Sequence, residues 1–134
     1  MSNNYLKIAI VGLGPRGLSV LERLISNIAE NQLEKKIEIH VIDPFPFGAG
    51  KVWRTDQANC LLMNTVASQI TLFTDSTVEC DGPIKDGPNL YEWARFIEFF
   101  CSKEEYNDVV FQEAKRIGPN SYSTRAFYGY VYGH

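Results

Sequence analysis

Three glycines at fixed spacing, Gly12-Leu13-Gly14-Pro15-Arg16-Gly17, stand between a short apolar run and a long amphipathic one. Lys7–Val11 is β-branched and unbroken, as a strand buried in a parallel sheet would be. From Pro15 to about Asn31, Leu18, Leu21, Leu24, Ile25 and Ile28 recur at helical spacing, with no Gly or Pro after Gly17. A polar connection over Asn31–Lys36 leads to Ile37–Ile42, a second strand that stops at Asp43. Strand, helix and strand in this order make one βαβ unit, whose crossover is expected to be right-handed. The expected fold class is α/β, with a Rossmann-like start.

The glycines have separate physical jobs in such a unit. The first permits the tight turn from strand to helix. The second lets a diphosphate approach the backbone without meeting a Cβ, and the third lets helix and strand pack closely. The exposed N–H groups and the positive end of the helix dipole then face an anion. Pro15 suits the first helical turn, where its missing N–H is not needed. Gly12, Gly14, Pro15, Arg16 and Gly17 are therefore the expected cradle of a dinucleotide's phosphates. Asp43 is the acid expected to accept the ribose hydroxyls, and its charge disfavours a 2′-phosphate here. It comes later than the usual spacing, which the long helix and the polar connection can absorb. The competing reading of Asp43 is a turn residue before proline.

The segment after Asp43 separates FAD from NAD. Asp43–Gly50 (DPFPFGAG) cannot run into another crossover helix, because Pro44 and Pro46 lack donors and Gly48 and Gly50 loosen the backbone. An extended segment lying along a long cofactor fits FAD better than a dehydrogenase half-domain. Arg54 is a candidate for neutralising the diphosphate, or a solvated loop cation.

Further along, Ala58–Thr65 reads as a strand or a loop wall, Gln69–Phe73 as a short strand, and Asp81–Asn89 as turns. Asn89 to about Ser102 is an amphipathic helix with Leu90, Trp93, Phe96, Ile97 and Phe100 on one face. Val109–Ile117 is expected to be a strand, and Ser123–Tyr132 the first turns of a last helix.

Composition excludes several classes. At 134 residues, 45% apolar and 22% charged, the chain can bury the core of one domain. A net charge of −3 without a Lys/Arg cluster argues against nucleic acid and against a membrane surface. No apolar run approaches the roughly 20 residues of a membrane span, and Met1–Lys7 carries no leader pattern, so a cytoplasmic address is expected. Cys60, Cys80 and Cys101 are odd in number and form no CxxC, which points to reduced, packed thiols and no metal. Asp75, Glu79 and Asp81 lack the alternation of a hard-metal loop. His40 and His134 have no acid or nucleophile at motif spacing, so no catalytic residue is assigned. Trp53 and Trp93 read as packing residues, Trp53 alternatively as a cover for the cofactor.

Four segments, IVGLGPRGLSVLERL, HVIDPFPFGAGKVWRTDQ, LLMNTVASQITLFTD and YSTRAFYGYV, together resemble the FAD/NAD(P)-binding flavoproteins that include FAD-dependent urate hydroxylase and aspartate N-monooxygenase relatives. The resemblance spans nearly the whole chain. It implies an FAD-dependent oxidoreductase, a monooxygenase using NAD(P)H and oxygen on a small-molecule substrate. It would set Gly48, Gly50 and Arg54 along the next stretch of cofactor, and Asn64 and Gln69 toward the flavin. Such proteins run to several hundred residues, so 1–134 is expected to be the N-terminal part of an FAD/NAD(P)-binding domain, incomplete and inactive alone. A non-catalytic nucleotide-binding or interaction module and an NAD-dependent half-domain stay open beside it. An exposed half-sheet ending in Phe127, Tyr128, Tyr130 and Tyr132 would tend to pair with another copy or with a missing C-terminal segment.

Overall fold

The computed structural model describes residues 5–31 and 35–133. Residues 32–34 of the expected polar connection and His134 lie outside the described residues. Strand β1, Tyr5–Val11, pairs in parallel with β2, Lys36–Ile42. Helix α1, Pro15–Asn31, connects them, so the βαβ unit stands as expected. The register runs from Tyr5↔Lys36 to Val11↔Ile42, and Gly12 N donates to Ile42 O at 2.8 Å. Both strands therefore end at one level, and the glycine turn and Asp43 begin there.

Sheet and helices pack differently. One face of the sheet stays open, with Lys7 Nζ 3.2 Å and His40 Nε2 3.0 Å from the Glu38 carboxylate. Lys7 holds that carboxyl below its ordinary range. The upper strand ends are bare, Val11 at 79% and Ile42 at 56% exposure. α1 is tied instead to the 74–83 loop, where Arg23 donates to Thr74 Oγ1 at 2.9 Å and Pro83 O at 2.6 Å.

The buried core lies elsewhere, among α2 (Leu90–Phe100), α3 (Asp108–Arg116) and α4 (Arg125–Tyr132). Each begins at a side-chain cap, as unsatisfied N-terminal amides require. Asn89 and Glu92 form a reciprocal capping box on α2, Asn107 caps α3, and Thr124 caps α4. Glu113 accepts from both Thr124 N and Thr124 Oγ1 at 2.7 Å, which locks α3 to the start of α4. Leu90, Ala94, Ile97, Ala114 and Phe127 close the centre.

Several expectations are corrected. Val109–Ile117 is not a strand: its β-branched start lies in α3, because Asn107 caps a helix that Lys115 and Arg116 finish favourably against the dipole. Gln69–Phe73 is not a strand either; a 3₁₀ turn, Ala67–Gln69, runs into loop, since no neighbouring strand offers a ladder. Ala58–Thr65 is loop, touching Thr124 through one bridge at Leu62. On α2 the buried face is Leu90, Ala94 and Ile97, while Phe96 and Phe100 are exposed and stack on each other. The terminal aromatics do not cap an exposed edge, for Phe127, Tyr128 and Tyr132 are buried in the helical core. The cysteines are free, but Cys60 and Cys80 are exposed in loops that no layer covers. Among the described residues, no helix is long and apolar enough to cross a membrane.

Candidate functional site

Gly12 adopts φ +91°, a left-handed conformation that L side chains rarely take, and so turns the chain from β1 toward α1. A Cβ on Gly17 would lie 2.1 Å from Gly12 O, so that glycine is required by the turn's own packing. Gly14 differs. A Cβ there would meet nothing closer than Gly50 Cα at 3.8 Å, an ordinary contact. No protein neighbour demands a glycine at position 14; an approaching ligand would.

The turn's hydrogen bonds leave it open to an anion. Gly12 N is used by Ile42 O, Leu13 N by Asp43 Oδ2 at 2.6 Å, and Leu18 N by Gly14 O at 2.9 Å. Among the described residues, no partner takes the amides of Gly14, Arg16 or Gly17. These donors sit at the N-terminus of a long helix, where partial positive charge gathers. A cavity of about 350 Å³ lies against them, walled by Gly12, Gly14, Pro15, Arg16 and Gly17 on one side and by Val52 and Trp53 on the other. That volume falls within the range of small-molecule clefts. Unused donors, a side chain left out and an adjoining cleft together fit a diphosphate.

Asp43 is aimed at the turn. Its Oδ1 accepts from Phe45 N at 2.8 Å, so both carboxylate oxygens bind backbone. A carboxylate offers about four lone-pair directions, so ribose hydroxyls can still be accepted. The loop after Asp43 folds back across the turn, with Gly48 N donating to Leu13 O at 2.6 Å. Gly48 (φ +78°) and Gly50 (φ +60°) permit this path. A Cβ on Gly48 would fall 1.6 Å from Tyr132 O, and one on Gly50 would fall 3.1 Å from Gly14 Cα. Packing against α4 and the glycine turn therefore accounts for both glycines.

Trp53 joins the site to the helical core. It lines the cleft, and its ring meets Tyr128 edge-on with centroids 4.4 Å apart. Burial pushes the Tyr128 hydroxyl up to about 12. Of its two sequence readings, the structure shows the packing one, with Trp53 also lining the cleft beside the glycine turn. Val52 was not anticipated; only its place just after the Gly/Pro loop could have suggested it.

Arg54 turns away from the glycine cleft. It forms a two-pronged pair with Asp56, Nε to Oδ1 at 2.8 Å and NH2 to Oδ2 at 3.1 Å, which lowers the Asp56 carboxyl. Both residues line a neighbouring cavity of about 560 Å³ with Pro46, Ala49 and Tyr130. Asn64 and Gln69 are exposed on the segment that packs against α2 and α4, and neither lines the glycine cleft. His40 lies on the open sheet face. Among the described residues, no group of three or more His, Cys, Asp or Glu side chains could hold a metal ion.

Comparison with known proteins identifies the family. A family model described as FAD-NAD(P)-binding matches residues 9–132. An L-aspartate N-monooxygenase (nitrosuccinate-forming) of Streptomyces cremeus is 49% identical over 133 residues, which cover 96% of this chain and 20% of that protein. Its counterpart from Streptomyces davaonensis is 47% identical over 130 residues, covering 97% of this chain and 20% of that protein. A nitrosuccinic acid synthase, npaA, of Aspergillus oryzae is 48% identical over 128 residues, covering 94% and 17%. The chain thus spans about a fifth of the length of these relatives. With the match running through the glycine turn, Asp43 and all three core helices, the chain belongs to the FAD-NAD(P)-binding family.

Proposed function

We propose that residues 7–50 hold the ADP half of FAD, and that the full-length protein is an FAD-dependent monooxygenase using NAD(P)H and oxygen. The observation that carries this reading is Gly14, where a Cβ would make only an ordinary contact with the protein, together with three unused amides and an open cleft. The amides of Gly14, Arg16 and Gly17 bind the diphosphate, and the Arg16 guanidinium adds positive charge at the cleft wall. Asp43 accepts the ribose hydroxyls. Trp53, braced by Tyr128, keeps water from one side of the cofactor. Arg54 lies along the next stretch of cofactor, and Asn64 and Gln69 serve the flavin end, beyond the ADP half. A flavin held there would supply the redox chemistry, and the residues named here would bind and orient it. Residues 1–134 constitute the N-terminal part of the cofactor domain, and further polypeptide covers the open sheet face, since parallel sheets are ordinarily buried on both faces.

The substrate class is a small amino acid bearing a side-chain carboxylate, on the strength of relatives named for L-aspartate N-oxygenation. The full-length protein should purify yellow with flavin absorption. Gly14→Ala should fold normally and emerge colourless, because its new methyl occupies the diphosphate's place. A wild-type protein that binds NADH but no flavin, or a Gly14→Ala variant that retains flavin undiminished, would overturn this reading.

A further inference from the structure

Leu13 is held at every side. Its N–H donates to Asp43 Oδ2 at 2.6 Å, its C=O accepts from Gly48 N at 2.6 Å, and its side chain is buried. The other Asp43 oxygen accepts from Phe45 N at 2.8 Å. One carboxylate thus joins the end of β2, the glycine turn and the loop that folds back over it. Within the turn, Leu13 N–H is spent on this link, while Gly14, Arg16 and Gly17 line the cleft and their amides have no partner among the described residues.

We infer that Asp43 is a positioning residue for the diphosphate cradle: by holding Leu13, it sets the direction of the three free amides beyond it. This inference rests on the reading of the turn as a diphosphate site, and it adds to the ribose contact a second role with its own physical signature. A carboxylate near an anion repels it. If Asp43 acted only on ribose, removing its charge would leave binding of a ribose-free diphosphate unchanged or tighter. As a latch its loss weakens that binding, against the sign of the electrostatic change. Asn in its place has one acceptor oxygen, and its NH₂ would oppose the second backbone donor.

The test uses the flavin-free full-length protein, titrated calorimetrically with ADP and with inorganic diphosphate, as wild type and as Asp43→Asn. The expected result is a loss of about tenfold or more for both ligands, the scale of a charged hydrogen bond. Amide exchange at Leu13 should accelerate by a similar factor while Ile8 and Ile10 keep their protection. Diphosphate binding in Asp43→Asn equal to or tighter than wild type, with ADP alone weakened, overturns the latch. So does unchanged exchange at Leu13, which needs no ligand. Should Asp43→Asn fail to fold, Asp43→Ser, whose hydroxyl still accepts from Phe45 N, gives the same comparison. A wild-type protein that binds neither ligand, with Leu13 exchange still dependent on residue 43, would remove the cofactor reading and show the latch to be structural alone.

Discussion

The βαβ unit and the three-helix cluster are built on opposite terms. The cluster has a sealed centre, although α2 leaves Phe96 and Phe100 on the surface: Ala67, Leu90, Ala94, Ile97 and Ala114 have no exposure at all, and every helix has its cap. The βαβ unit, where the cofactor site is proposed, leaves Val11 at 79% exposure and one sheet face open. Its geometry is maintained at a few backbone contacts instead, at Leu13, Gly17 and Gly48. The difference teaches that stability and function are separable along this chain. Side-chain burial holds the helices, and backbone fit holds the site.

Breaking the cluster should have the largest effect. Phe127→Ala empties the centre where α2, α3 and α4 meet, and chemical unfolding should register a loss of about 3–5 kcal/mol. Gly48→Ala attacks the contact between the two regions, because its methyl would collide with Tyr132 O at a left-handed backbone position. A loss of about 1–3 kcal/mol is expected, together with weakened cofactor retention. An equal loss of stability with cofactor binding untouched would mean that the loop does not brace the site.

Alkaline titration probes the same junction more gently. Tyr128 is raised from 10.0 to about 12 by burial, so its neutral form stabilises the folded state. That contribution is complete below the unfolded value and fades as pH climbs from about 10 to 12. Unfolding should therefore track tyrosinate absorbance in that window, and Tyr128→Phe should shift the transition to higher pH. The smallest effect belongs to the open sheet: Val11→Thr should change the stability of this chain by no more than about 0.5 kcal/mol. In the longer protein proposed above the same substitution should cost more, and equal effects in both would indicate that nothing covers that strand end.

The same division explains how much could be read from residues alone. The βαβ unit was legible because its signals are local: an unbroken apolar strand, helical periodicity and glycines at the junction. The glycine turn proposed to hold the diphosphate was legible for that reason too, as a turn. The bond from Leu13 N to Asp43 was not, because it depends on the register that sets Val11 opposite Ile42. Val109–Ile117 misled because β-branched residues suggest a strand, whereas the Asn107 cap and the packing of Val110 and Phe111 make a helix. Phe96 and Phe100 misled in another way. Periodicity places apolar residues on a helix but does not say which of two adjoining stripes turns inward, and the stripe with the small Ala94 is the buried one. Arg54 is captured by Asp56, two residues away, a pairing visible only once the loop is folded.

The common level at which β1 and β2 stop has a consequence for how such chains vary. Asp43 meets Leu13 because two adjacent strands finish side by side, whatever length of helix and loop was traversed in between. Residues could be gained or lost in that crossover without shifting the acid relative to the glycines. A motif spacing counted along the polypeptide is thus a surrogate for a span measured across the sheet, and lineages of differing crossover length can share one geometry.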